Sequence, residues 1–293
     1  MEPEIRLLLL RSHIDKMPPL SPTVSKVLAL CNDRDASPVE LNKVVSIDPV
    51  LTGNVLRLIN SAYYGMSQKI TSVVRAITML GINTVRNLLL STAVLSTLGK
   101  KTNFNSLNSS MFWEHSLATG VTAKLIALRH KIPFEMVESY FIAGLLHDIG
   151  KIPLNNKFPD EFTATIERAE KEGLTLFLSE SRTFGMDHTH IGKLITDKWG
   201  LGNDISDTVE FHHTTADYEG EHKNIVFIVS LADYFVNTLK IGYSGNMHRA
   251  EISPAILKYL KDQLGVTLKS LEGIIKDISS EVEKSRVFLT LTK

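Results

Sequence analysis

Helix punctuation is the feature of this sequence that most restricts its fold. Ser37, Pro38 and Glu40 supply in order an N-cap hydroxyl, a first-turn proline and the acid of a capping box, and Asp48 before Pro49 starts a second helix the same way. Thr71 opens a third helix that Gly81 stops, and Asn83 begins a fourth, TVRNLLLSTAVLSTLG, which ends at Gly99. Beyond the polar connector KKTNFNSLNSS, helices are readable over about 111–130, 135–148, 160–172, 188–199, 204–213 and 224–240, with a last stretch at 253–284. Period-two alternation never persists for more than a few residues, and no internal repeat is visible. These signals predict an all-α fold in two parts, residues 1–105 and 106–293.

Composition narrows the function classes. A chain of 293 residues with 43% hydrophobic content can build a full core. Lys+Arg and Asp+Glu both number 32, so no basic excess exists to hold a phosphate backbone, and nucleic acid is not an expected partner. The lone cysteine, Cys31, excludes an intrachain disulfide and a thiolate-rich zinc site, which suits a reducing cytoplasm. IRLLLL at residues 5–10 is too short to span a bilayer and is followed by Arg11 and His13 without a cleavage site. Neither a signal peptide nor a membrane anchor is expected.

The chemistry lies in polar residues on apolar helices. FIAGLLHDIGKIPL, residues 141–154, runs apolar to Leu146 and then sets His147 and Asp148 side by side before Gly150. Adjacent side chains lie about 100° apart around a helix, so both can reach a point beyond its end. His115 shares a helical face with Met111, Ala118, Thr122 and Leu125 and is expected to point inward. His188 and His190 open the helix HTHIGKLITDKW. His212 and His213 close ISDTVEFHH, where Ile205, Val209 and His212 form one stripe, and Asp233 interrupts the apolar IVFIVSLADYFVNTL. Any one of them is explained by a core hydrogen bond or a local cap. Five helices each presenting an imidazole or a carboxylate point instead to a common centre, because a buried ionised carboxylate needs a partner, and a metal ion is the economical one.

The order His115, His147-Asp148, Asp233 reproduces the H…HD…D pattern of the HD superfamily of metal-dependent phosphohydrolases, and HDIGK resembles the HDxGK form of its HD-GYP branch. MPPLSPTVSKVLAL, ELNKVVSIDPVLTGNVLRLINSAYYG and ITSVVRAITMLGINTVRNLLLS resemble the N-terminal helical part of HDOD domains, the HD-related output domains of bacterial signalling proteins. The resemblance covers roughly residues 13–240, and residues 241–293 match nothing that can be named. It implies metal ligands at His115, His147, Asp148, His188, His212, His213 and Asp233. His188 is favoured over His190 because HTHIG is similar to the HxxIG stretch of HD-GYP proteins. Two departures stand out: the chain reads HHTTADYEGEHK where HD-GYP proteins carry HHExxDGxGYP, and Met111 occupies a position where some of them place a glutamate ligand. The second disfavours a third ion.

Five imidazoles and two carboxylates without thiolate favour two divalent ions, Fe or Mn first and Zn as a possibility, with Asp148 as the bridge. In the superfamily such a pair activates a water and clamps a phosphoryl oxygen. If the chain is an enzyme, Asp148 and Lys151 are the catalytic candidates, Lys151 neutralising substrate phosphate; otherwise Lys151 is a helix C-terminal lysine favoured by the dipole. The expected function is a signal-transduction module whose metals brace the fold, because the GYP turn is missing. The alternative is a phosphohydrolase acting on a nucleotide or cyclic dinucleotide. No receiver or sensor segment is visible, so the signal is expected from a partner protein or a small nucleotide ligand, and a partner surface is expected around Asn60, Tyr63, Tyr64 and Arg86.

Overall fold

The computed structural model describes residues 3–31, 37–99, 104–246 and 252–292. The side chain of Cys31 and residues 100–103 of the predicted connector lie outside the described residues. Among the described residues the chain is all-α, without a strand. The first part holds α1 (Pro3–Lys16), α2 (Pro22–Cys31), α3 (Pro38–Val45), α4 (Pro49–Ile59), α5 (Val73–Leu80) and α6 (Ile82–Leu98). The second holds α7 (Ser109–Arg129), α8 (Val137–Leu146), α9 (Lys151–Lys157), α10 (Pro159–Glu172), α11 (Leu176–Phe184), α12 (His188–Trp199), α13 (Asn203–Phe211), α14 (Lys223–Thr238), α15 (Pro254–Leu264) and α16 (Leu268–Ser285). A final 3-10 stretch covers Arg286–Thr292. No helix among the described residues is long and apolar enough to cross a membrane.

The capping chemistry starts the helices where the sequence puts it. Ser37 and Glu40 exchange hydrogen bonds between each other's backbone N–H and side chain, and Asp48 Oδ1 accepts from the N–H of Leu51 at 2.9 Å. The third helix is capped by Ser72 rather than Thr71. Helices α1, α2, α9 and α11 lie outside the predicted spans. In α9 the proline at its third residue sits in the first turn, where a missing N–H costs nothing. The predicted stretch 253–284 is two helices, because Gly265 adopts the left-handed conformation (φ +70°) and ends α15.

Helix α7 is the axis of the second part, enclosed by α8, α14 and α16. Its buried residues run almost continuously from Phe112 to Ala127, broken only by the half-buried Glu114, Lys124 and Leu125. Small residues let α8 approach it closely: a Cβ on Gly144 would stand 2.7 Å from Gly120 Cα. That crossing brings His115 and His147, with ring centroids 5.3 Å apart, to one place.

The two parts interlock. α1 packs on α9 and α11, with Arg6 donating to Thr183 O at 2.9 Å, and Lys198 reaches back to the carbonyls of Ile14, Asp15 and Met17 at the end of α1. In the reverse direction, the 3-10 stretch at 286–292 packs on α6 and places Phe288 against Tyr63 and Phe141. Lys124 lies over the rings of Tyr63 and Tyr64 and pairs with Glu138. The tyrosine pair is thus half-buried packing between the parts. Asn60 ties its own loop through Leu56 O, Ile70 O and Ile70 N, and Arg86 donates to Leu201 O. Each of the four side chains expected to form a partner surface is engaged within the chain.

Candidate metal centre

The seven residues picked out by sequence converge. His115 comes from α7, His147 and Asp148 from the turn after α8, His188 from the start of α12, His212 and His213 from the end of α13, and Asp233 from α14. His115, His147, Asp148, His188 and His212 are each 2% exposed or less. His190, in the first turn of α12, turns outward instead, 59% exposed and held by Asp187.

Asp148 divides the group into two halves. Its Oδ2 faces His147 Nε2 at 3.4 Å and His115 Nε2 at 3.7 Å, and these two nitrogens approach Asp233 Oδ1 at 3.5 and 3.0 Å. Its Oδ1 faces His188 Nε2 at 3.3 Å and His212 Nε2 at 3.9 Å, with His213 in the same group. One carboxylate therefore looks with one oxygen into each of two nitrogen-lined positions.

The tautomers follow from the other ring nitrogens. His147 Nδ1 lies 2.7 Å from Gly144 O and His212 Nδ1 2.9 Å from Val209 O; a carbonyl only accepts, so each Nδ1 carries the hydrogen. His188 Nδ1 lies 2.5 Å from Glu180 Oε2. Each Nε2 then presents its lone pair toward carboxylate oxygens. The Nε2 atoms of His115, His147, His188, His212 and His213 and Asp148 Oδ1 are buried without a hydrogen-bond partner. Five orphaned nitrogens facing two carboxylates form an arrangement that is repulsive unless positive charge stands between them. Divalent cations fit that requirement, and the donor set suits them.

The charges around these groups explain why protons alone do not suffice. Burial pulls His147 down, but the Asp148 and Asp233 charges outweigh it and push it up to about 10, so a proton can hold this side of the centre. His212 cannot follow: burial, then the neighbouring His147 and His188, lower it to about 3, and burial with His212 and His188 holds His213 well below the usual imidazole range. Asp148 stays ionised; burial opposes this, but His147 and Lys151 outweigh it and hold the carboxyl well below the usual range. Burial opposes ionisation of Asp233 too, but the neighbouring His115 and His147 rings outweigh it and hold the carboxyl well below the usual range.

Local structure supports each group. Gly150 allows the turn after His147-Asp148 to meet the start of α12: a Cβ there would stand 1.9 Å from His188 O. Glu180, fully buried on α11, accepts from both the backbone N–H and Nδ1 of His188. Asn237 donates to Asp233 Oδ1 at 2.8 Å. Sequence reading missed both supports. The missed signal for Glu180 is an acid on the inner face of LFLSESRTF, one turn from Leu176 and Phe184.

Lys151 is not a helix C-terminal lysine. It opens α9, is fully buried, and donates to Asp148 Oδ2 at 2.7 Å and to Ser244 Oγ at 3.3 Å. Met111 is 43% exposed. A cavity of about 180 Å³ opens onto His212, His213 and Asp233, so it touches ligands from both halves; hydroxyls and amides of Thr175, Ser230 and Asn246 share its wall.

Comparisons agree with this architecture. A profile of the HDOD domain matches residues 17–215. The chain is similar to a crystal structure of an HDOD domain protein of unknown function from Geobacter sulfurreducens, with a TM-score of 0.76 and 28% identity over 98% of both chains. A presumed phosphohydrolase from Shewanella amazonensis SB2B shares the fold at TM-score 0.72 and 22% identity, covering 97% of this chain and 98% of that one. A presumed signal transduction protein from Marinobacter aquaeolei VT8 does so at TM-score 0.73 and 18% identity, covering 99% of this chain and 66% of that one. An uncharacterized protein of Treponema pallidum (strain Nichols) is 22% identical over 89% of this chain, which spans about half the length of that relative. With most of its length matched by the domain profile, the chain belongs to the HDOD domain family.

Proposed function

We propose that this chain is a signal-transduction module of the cytoplasm, built around a centre for two divalent ions held by His115, His147, Asp148, His188, His212, His213 and Asp233. The observation that carries the metal reading is the set of five buried Nε2 atoms gathered around Asp148 and Asp233, none of them with a hydrogen-bond partner. Fe or Mn suits the nitrogen and oxygen donors best, with Zn also compatible. When bound, such ions act as Lewis acids toward an oxyanion. The chain's own part is to fix seven ligands from five segments, so that losing the ions loosens α8, α12, α13 and α14 against one another. That packing is the route by which occupancy reaches a partner protein.

The position of Lys151 favours a regulatory over a hydrolytic role. Its ammonium is sealed against Asp148 and Ser244, and no lysine or arginine is among the described residues lining the cavity. Among the described residues of that wall, a phosphoryl group meets no lysine or arginine to neutralise charge on the departing oxygen. The second reading, a phosphohydrolase acting on a nucleotide or cyclic dinucleotide, is favoured by the cavity that reaches ligands of both halves. The deciding experiment is elemental analysis of protein purified without added metal, joined to a turnover screen with a generic phosphodiester and cyclic dinucleotides. Two ions per chain without turnover is the expected result. Hydrolysis at enzymatic rates, abolished by Asp148→Ala, would establish the second reading.

A further inference from the structure

Beyond their ligand sets, the two halves of the centre differ in how Asp148 is engaged. Asp148 Oδ1 faces only imidazole nitrogens, those of His188 and His212. Asp148 Oδ2 faces His147 and His115 but also accepts from the Lys151 ammonium at 2.7 Å. A cation on the Oδ2 side must share that oxygen with a fixed positive charge; a cation on the Oδ1 side need not.

Charge balance points the same way. The buried carboxylates at the centre are Asp148, Asp233 and Glu180, and the buried ammonium is Lys151. Asp187, the N-cap of α12, lies outside this set, since its carboxylate bonds Ser181, Thr189 and the outward-facing His190 and none of the seven ligands. With neutral imidazoles the three carboxylates and one ammonium leave two negative charges. One divalent ion balances them; a second leaves two positive charges in a buried site, which is costly unless an anion accompanies it. The cavity supplies the entry, since its floor includes His212 and His213 from the Oδ1 half and Asp233 from the Oδ2 half. An oxyanion entering there meets ligands of both positions, His212 and His213 of one and Asp233 of the other.

We infer that the two positions fill unequally, the His188/His212/His213 position first, and that the His115/His147/Asp233 position takes its ion together with a phosphate-like oxyanion from the cavity, Lys151 setting this dependence. The inference rests on the two-ion reading above. It makes the second ion the sensor: occupancy reports an anionic small molecule, and the Lys151 ammonium keeps the position open in its absence. By linkage, the anion binds more tightly when the ion is present, to the same extent that the ion binds more tightly when the anion is present.

The test is equilibrium dialysis of Mn2+ on the full chain, with inorganic phosphate or with chloride at equal ionic strength, on wild type and Lys151→Met. In chloride the wild type should bind one ion tightly and a second weakly, and phosphate should tighten the second about tenfold or more. Lys151→Met should bind the second ion in chloride as tightly as wild type does in phosphate, with the phosphate effect reduced to about twofold or less. Two ions of equal affinity in chloride, unmoved by phosphate, overturn the inference and leave the two-ion centre standing. A phosphate effect undiminished in Lys151→Met overturns the role of Lys151. A second ion absent under every condition, the variant included, refutes the two-ion centre itself. If Lys151→Met does not fold, the wild-type comparison of phosphate with chloride still decides.

Discussion

Removing the carboxylate of Glu180 should weaken one ion position and leave the other alone. Glu180 is fully buried, and its Oε2 holds His188 twice, through the backbone N–H at 2.9 Å and Nδ1 at 2.5 Å. The second bond fixes the tautomer that leaves the Nε2 lone pair facing Asp148 Oδ1 at 3.3 Å. Supports of this kind are worth about 10- to 100-fold in metal affinity. Glu180→Gln keeps the shape and one acceptor but loses the charge, and charge-assisted bonds are roughly twice as strong as neutral ones, so it should fall near the lower end, about tenfold. Glu180→Ala frees the ring and leaves a buried N–H unpaired, so it should lie near about 100-fold and cost the metal-free protein a further ~1–3 kcal/mol. Chelator competition with Mn2+ reads the first, and urea unfolding in chelator reads the second. The loss should appear only in the first, tighter phase of binding. An unchanged first phase in Glu180→Ala, or a loss confined to the second phase, would refute the assignment of Glu180 as the orienting group of His188.

Other perturbations are equally specific. Asp148→Ala should remove both ions while His190→Ala, altering an outward-facing ring, retains them and shifts stability by no more than about 0.5 kcal/mol; metal analysis of the two purified variants checks this. Gly150→Ala, whose Cβ would meet the backbone carbonyl of His188, should cost about 1–3 kcal/mol in chemical denaturation and lower ion content as well. In metal-free protein, His212 and His213 have folded values below their unfolded one, so their stability is complete above about pH 6.5 and is lost as pH falls, toward about 3 for His212, by up to ~1.4 kcal/mol per histidine per pH unit. His147 has the opposite sign: its contribution is complete below about pH 6.5 and is lost as pH rises to about 10. Thermal unfolding against pH should therefore fall off on both sides without metal, and the alkaline loss should vanish once ions occupy the lone pair of His147.

What was legible in the sequence follows from how locally each feature is determined. Ser37 and Asp48 announce their helices because a cap is chemistry between residues three apart, and His147-Asp148 announces itself because a polar pair closing an apolar helix is visible within a few residues. Glu180 was illegible for the opposite reason. Its role depends on α11 lying against the start of α12, and nothing within LFLSESRTF distinguishes an acid turned toward His188 from one turned toward water. Lys151 shows the same limit more sharply. A lysine after an apolar helix reads as a dipole partner at a C-terminus, yet the chain turns at Ile149 and Gly150, so the residue begins the next helix and points back at the carboxylate three positions before it. The turn is possible because Gly150 lies against the His188 carbonyl, a contact between residues far apart in sequence. The ligands are thus written locally, one helix at a time, whereas the groups that set their charge and orientation are supplied by packing. Those packed groups are what separate a centre that merely binds ions from one whose second ion answers to an anion.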